Sequence, residues 1–255
     1  MNNQFTRTQR LLGRTSMEIL AGSRIAVFGI GGVGGYVVEA LARSGVGALD
    51  LIDPDKVAPS NLNRQIIALH STIGRYKTDV MRERILDINP DAIVRTYQCF
   101  YLPEEADRFD FASYDYVVDA VDTVTAKIDI ILQSQRAGVP VISSMGAGNK
   151  LDPTAFVVSD IYETDVDPLA RVMRRELRKR GVQKLKVVYS REKALTPFPD
   201  HSKEEGSVIA AKRAVPGSTA FVPSAAGLIV ASQIVRDLTE ESMRRERTGR
   251  SQSSK

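Results

Sequence analysis

The segment 24–53 constrains the fold more than any other. It reads RIAVF, GIGGVG, GYVVEALARSGVG, ALDLID: an apolar strand, a glycine loop, a helix and a second strand ending on Asp53. Gly29, Gly31 and Gly34 fit the G-x-G-x-x-G pattern, with Gly32 inside it. Glycines there let the turn be tight and the backbone approach a phosphate, while the free N–H groups at the helix start attract the anion. An acidic residue at the second strand's end is placed to accept hydrogen bonds from a ribose. The pattern predicts a nucleotide-binding βαβ unit. It suits NAD or FAD as well as ATP, and glycines can also serve close helix–strand packing alone.

The next residues narrow the choice. Asp53-Pro54-Asp55 is followed by Ser60-Asn61-Leu62-Asn63-Arg64-Gln65. A dehydrogenase has no need of that run, whereas an amide and a guanidinium just past the acidic strand end would face a triphosphate, on which Arg makes forked, charge-assisted contacts. Lys77 opens a helix, where the dipole ordinarily favours acids; a nearby phosphate would remove the penalty. A short apolar strand over 116–120 runs into Asp119-Ala120-Val121-Asp122-Thr123. That puts carboxylates at the ligand-facing edge of a parallel sheet, although Asp122 or Thr123 could equally cap the helix after them.

Together these motifs resemble the ATP-dependent adenylating superfamily of ubiquitin-activating enzymes and their bacterial ThiF/MoeB relatives. The resemblance implies an α/β, Rossmann-like ATP-binding fold, with a mainly parallel central sheet flanked by helices and extended by C-terminal strands and a helix. It implies that Arg64 and Lys77 hold the triphosphate and Asp122 holds magnesium. It further implies that Arg10, in an N-terminal helical arm over 5–20, reaches the neighbour's ATP across a homodimer interface. Gly29, Gly31, Gly32, Gly34, Asp53, Asp55, Ser60, Asn61, Asn63 and Thr123 would complete the nucleotide site.

Farther on, SSMGAGNKLDPT, DPLARVMRRELRKRG and LKVVYSRE resemble the tRNA threonylcarbamoyladenosine dehydratase branch of that superfamily. That branch implies adenylation of a threonyl carboxylate in modified tRNA, then cyclisation with net loss of water. It also leaves room for a sulfur-transfer partner protein. The helix over 167–181 has Asp167 as its cap, Pro168 in its first turn and Gly181 at its end. Leu169, Val172, Met173 and Leu177 form its expected inner stripe. Arg171, Arg174, Arg175, Arg178 and Lys179 are candidates for tRNA backbone contact, against a solvated face as the plainer expectation.

Composition excludes other chemistry. The 255 residues carry one cysteine, Cys99, and two histidines. No disulfide can form within the chain, and no C-x-x-C zinc site exists. Ubiquitin-type activators use a cysteine on a later crossover segment, so Cys99 reads as a packed residue and thioester transfer is not expected. A reducing, cytoplasmic setting is the default, and the first 13 residues lack an apolar signal core. The formal charge of +4 is compatible with a nucleic-acid partner. The apolar stretch 220–235 is shorter than the ~20 residues that span a bilayer, so a buried helix over 223–238 and no membrane partner are expected.

The domain expectation is one adenylating domain over 5–238, with a mobile loop over 195–218 and an unstructured, charged and Ser-rich tail over 239–255. Two other functions fit the same motifs: an activator of a sulfur-carrier protein's C-terminus, and a non-catalytic nucleotide-binding scaffold.

Overall fold

Strands buried on both faces read as continuous apolar runs, because helices cover both sides of a parallel sheet. The computed structural model describes residues 3–198 and 216–253. Its strands are β1 (Arg24–Phe28), β2 (Ala48–Ile52), β3 (Ile93–Tyr97), β4 (Tyr116–Asp119), β5 (Val141–Ser144), β6 (Phe156–Asp160) and β7 (Lys186–Ser190). They form one seven-stranded sheet in the order β3-β2-β1-β4-β5-β7-β6. All neighbours pair in parallel except β6, which runs antiparallel to β7 at the edge.

The helices are α1 (Thr6–Leu12), α2 (Arg14–Gly22), α3 (Gly34–Arg43), α4 (Lys77–Ile88), α5 (Val124–Arg136), α6 (Pro168–Lys179) and α7 (Phe221–Ser253). The core between one sheet face and α3, α4 and α7 is aliphatic, with Val27, Leu41, Leu49, Met81 and Val230 wholly buried. On the other face, Phe28 meets Tyr101, Phe109 and Phe111 with ring centroids 5.0–5.8 Å apart. Cys99 packs half-buried against this aromatic cluster.

The structure departs from expectation in two places. The helical arm is two helices, broken at Gly13, whose φ of 88° is open to glycine and strained for other residues. The charged tail, expected to be unstructured, continues α7 as far as Ser253.

That extension has tertiary partners. Thr239 and Ser242 are buried, Ser242 hydrogen-bonds Ser16 at 2.8 Å, and Glu246 accepts from the Thr15 N–H at 2.7 Å. On its outer side, Glu240–Arg244 and Glu241–Arg245 ion pairs add i,i+4 support. The stretch Phe221–Glu246 is long and apolar enough to cross a membrane by length and composition. Here, however, Val222, Ala226, Val230 and Ile234 form one stripe that is fully buried in the protein core. A Cβ on Gly227 would fall 2.4 Å from the Val33 carbonyl, so this glycine is what lets α7 cross α3 closely. Residues 199–215, most of the expected mobile loop, lie outside the described residues.

Candidate active site

Strand order reverses between β1 and β4, and ligands of such sheets bind in the crevice beyond the strand ends at that point. The glycine loop fills it. Gly29 has φ 91°, and a Cβ there would sit 2.7 Å from the Ala120 carbonyl. A Cβ on Gly34 would fall 1.8 Å from the Gly29 carbonyl. These two glycines are dictated by packing. Gly31 differs: a Cβ there would meet nothing nearer than the Gln65 amide, at 3.9 Å. Gly32 faces Pro223 of α7 and the Arg64 stem.

Asp53, at the end of β2, is buried beneath this loop. Its carboxylate accepts from the Ile30 N–H at 2.7 Å and the Asp55 N–H at 2.8 Å. Burial pushes the Asp53 carboxyl above its usual range, opposed by the charge of Lys77. Lys77, the first residue of α4, is 5 % exposed. Its Nζ donates to Asp55 at 2.7 Å and lies 3.6 Å from Asp53. The mismatch between a lysine and a helix start is thus met here by two carboxylates, one of them 56 % exposed.

The run 60–65 forms a 3₁₀ turn and its exit. Asn61 Oδ1 accepts from the Ala58 N–H and closes the turn. Arg64 Nη1 donates to the Ser60 carbonyl at 2.7 Å and to Asn63 Oδ1 at 2.9 Å, while the arginine stem lies against the glycine loop. Gln65 is buried beside Gly31, and its Oε1 has no hydrogen-bond partner among the described residues.

At the end of β4 the two aspartates of the DAVDT run separate. Asp119 is sealed: it pairs with Lys127 at 3.0 Å and accepts from Ser143 Oγ at 2.5 Å. Asp122 is exposed and accepts from Thr123 Oγ1 at 3.3 Å. Thr123 occupies the N-cap position of α5, yet neither it nor Asp122 makes a side-chain cap bond. Asp122 is therefore an exposed hard-oxygen donor two residues beyond Ala120, whose carbonyl packs against Gly29. Magnesium is commonly held by one or two carboxylates plus substrate phosphates, and a single carboxylate fits that donor set.

The signature of the ThiF family matches residues 4–251. The chain belongs to the ThiF family. The tRNA threonylcarbamoyladenosine dehydratase of Bacillus subtilis is 44 % identical over 245 residues, covering 94 % of this chain and 96 % of that protein. The same-named protein of Escherichia coli is 39 % identical over 222 residues, covering 84 % of this chain and 81 % of its own length. A solved structure of the E. coli enzyme TcdA in complex with ATP superposes with a TM-score of 0.83 at 33 % identity, covering 94 % of this chain and 96 % of that one.

Within this ThiF fold, not every expected residue converges. Arg10 is exposed on α1, which lies against the far end of α3: Leu11 and Leu12 share a hollow with Ala40 and Ser44. The chain does not bring Arg10 to its own glycine loop.

The basic helix α6 is a separate surface. Asp167 caps it by accepting from the Ala170 N–H. Its inner stripe is Ala170, Met173 and Leu177, with Leu169 and Val172 only partly covered. Arg174 is tied inward, donating to the Thr164 carbonyl at 2.8 Å and to Thr164 Oγ1. Arg178 lies over the Tyr162 ring at 5.1 Å. Hydrogen bonds from Arg180, Lys179 and Arg175 hold the Glu176 carboxyl down to about 2. Burial pushes the Cys99 thiol up, away from the reactive thiolate form.

Lys127 is the residue that motif reading passed over. It is wholly buried, and its Nζ donates to the Ser144 carbonyl at 2.8 Å and the Val121 carbonyl at 3.2 Å. It thereby joins the ends of β4 and β5 beside Asp122. Only its spacing after Asp122 could have singled it out.

Proposed function

We propose that this chain is an ATP-dependent tRNA-modification enzyme that adenylates the threonyl carboxylate of threonylcarbamoyladenosine and closes it into a ring. The carrying observation is that Arg64 lies against the glycine loop and Lys77 beside Asp53 beneath it, with Asp122 two residues past Ala120, which packs on Gly29, in a chain matching a tRNA threonylcarbamoyladenosine dehydratase over 94 % of its length.

The reaction starts with attack of the carboxylate oxygen on the ATP α-phosphorus, breaking its bond to the β-phosphate bridge and releasing pyrophosphate. The carbamoyl group of the same nucleoside then attacks the activated carbonyl and expels AMP, which carries away the carboxylate oxygen. Net dehydration follows without a thioester, in keeping with a single half-buried cysteine.

Arg64 and Lys77 hold the phosphates, and charge placement of this kind is the main service a protein supplies to phosphate chemistry. Lys77 exchanges its bond to the exposed Asp55 for a phosphate oxygen. Asp122 would hold magnesium, which neutralises charge on the leaving pyrophosphate. Asp53 shapes the loop and lies beneath the ribose position. Arg10 completes the site from the second copy of a homodimer, and Arg171, Arg175, Arg178 and Lys179 meet the tRNA backbone in the cytoplasm.

The test is incubation with ATP, magnesium and tRNA bearing the modification, followed by mass measurement of the released nucleoside. Loss of one water, with AMP and pyrophosphate in equal amounts, is expected. Unchanged nucleoside mass after ATP is turned over to AMP would overturn the assignment.

A further inference from the structure

Asn149, in the loop after β5, has φ 57°, in the left-handed region that Asn tolerates better than most residues with a side chain. Three hydrogen bonds hold it there. Its N–H donates to the Gly217 carbonyl at 2.7 Å, its Oδ1 accepts from the Gly217 N–H at 2.6 Å, and its carbonyl accepts from the Leu195 N–H at 2.8 Å. One asparagine therefore grips both chain stems that flank residues 199–215. The packing is close: a Cβ on Gly148 would fall 2.8 Å from Pro216.

The contacts continue toward the nucleotide end. Ser218, next to Gly217, accepts from Asn63 Nδ2 at 3.0 Å, and Asn63 Oδ1 accepts from Arg64 Nη1 at 2.9 Å. A hydrogen-bonded series thus runs from the loop after β5, through 217–218 and Asn63, to the Arg64 guanidinium, which also donates to the Ser60 carbonyl and whose stem lies against the glycine loop. Arg64 is only half-buried and carries a long, flexible stem, so its direction depends on such partners.

We propose that Asn149 is a positioning residue for adenylation, seating Gly217 and Ser218 so that Asn63 holds the Arg64 guanidinium toward the triphosphate. The inference rests on the reading of Arg64 as a phosphate ligand. It makes the loop after β5 part of the ATP site, although its own side chain need touch no nucleotide.

The test is a double-mutant cycle on the full chain, read as the Kd for magnesium-ATP together with kcat on modified tRNA. Asn149→Gly keeps the backbone conformation and both main-chain bonds and removes only the Oδ1 acceptor. Its Kd for ATP should rise about fivefold to tenfold, the scale of one lost hydrogen bond, with the melting temperature nearly unmoved. Arg64→Ala should weaken ATP binding further, and the double variant should bind no worse than Arg64→Ala alone.

Multiplicative losses in the double variant, or a lowered melting temperature with unchanged ATP binding, would overturn the inference. If Arg64→Ala binds ATP like the wild type, the reading of the site itself fails. If Arg64→Ala loses ATP while Asn149→Gly does not, only the role of Asn149 fails.

Discussion

Lys77 and Lys127 invite comparison. Both lie in the first turn or so of a helix beyond the strand ends, and both are buried against an aspartate. Lys127 is closed on every side: Asp119 has no exposure, and its other partners are two backbone carbonyls. Lys77 sits between the buried Asp53, at 3.6 Å, and Asp55, at 2.7 Å, whose side chain is 56 % exposed. A charge taken out of water is held by whatever compensates it. Where the compensation is itself sealed, the lysine fastens the fold. Where one partner is an exposed carboxylate, that side of the lysine stays open to solvent. Burial of a lysine beside an aspartate therefore does not distinguish the two settings; the exposure of the partners does.

Breaking the sealed pair should have the largest effect. Lys127→Met leaves Asp119 buried without a counter-charge and should cost about 3–5 kcal/mol in urea unfolding. A loss under ~1 kcal/mol would erase the contrast.

The open pair should behave in the opposite sense. Lys77→Met should lower ATP-dependent turnover by about 10²–10³-fold and destabilise less than Lys127→Met does, because Asp53 keeps the Ile30 and Asp55 N–H donors. Comparable destabilisation by both variants would show that Lys77 is also a fastening.

Glu39 gives a reference away from the site. It accepts from Arg84 and Arg43, and these bonds outweigh burial and hold its carboxyl below the usual range. A lowered folded pKa means stabilisation that is complete above the unfolded carboxyl range and lost as pH falls through the folded value. Glu39→Gln should therefore destabilise the protein at pH 7, and the difference from wild type should narrow as pH falls below the usual glutamate range. A gap that persists in acid would assign the loss to packing.

The smallest effect on the fold should come from the surface of α6. Replacing Arg171, Arg175 and Lys179 by alanine should shift stability by less than about 1 kcal/mol. It should flatten the log–log salt dependence of tRNA binding by about 2 units. Arg174 is left in place because its bonds to Thr164 make it part of the fold. An unchanged salt slope would remove α6 from the tRNA surface.

Much of the nucleotide end was legible in the residues. The strand, loop, helix and strand over 24–53 lie where their apolar runs and glycines put them, and the run 60–65 lies beside the loop. Other features were hidden for identifiable reasons. The tail over 239–253 reads as charged and unstructured because its outer face dominates the composition, while Ser16, Thr15 and the buried Thr239 hold its inner face. Arg174 is indistinguishable from its neighbours in the sequence, and only the fold places Thr164 beneath it. The aromatic companion of the basic helix, Tyr162, comes from the turn before α6 and not from the helix itself.

The sequence alone determined the glycine loop, the acidic strand ends and the family, since these depend on contiguous residues whose spacing sets their conformation. Only the tertiary structure decided which charges are sealed and which remain available. Lys77 meets Asp55 across 22 residues, Lys127 meets Ser144 across 17, Asn63 meets Ser218 across 155 and Thr15 meets Glu246 across 231. Burial is a property of such distant pairings, so no local pattern of residue types could have reported it.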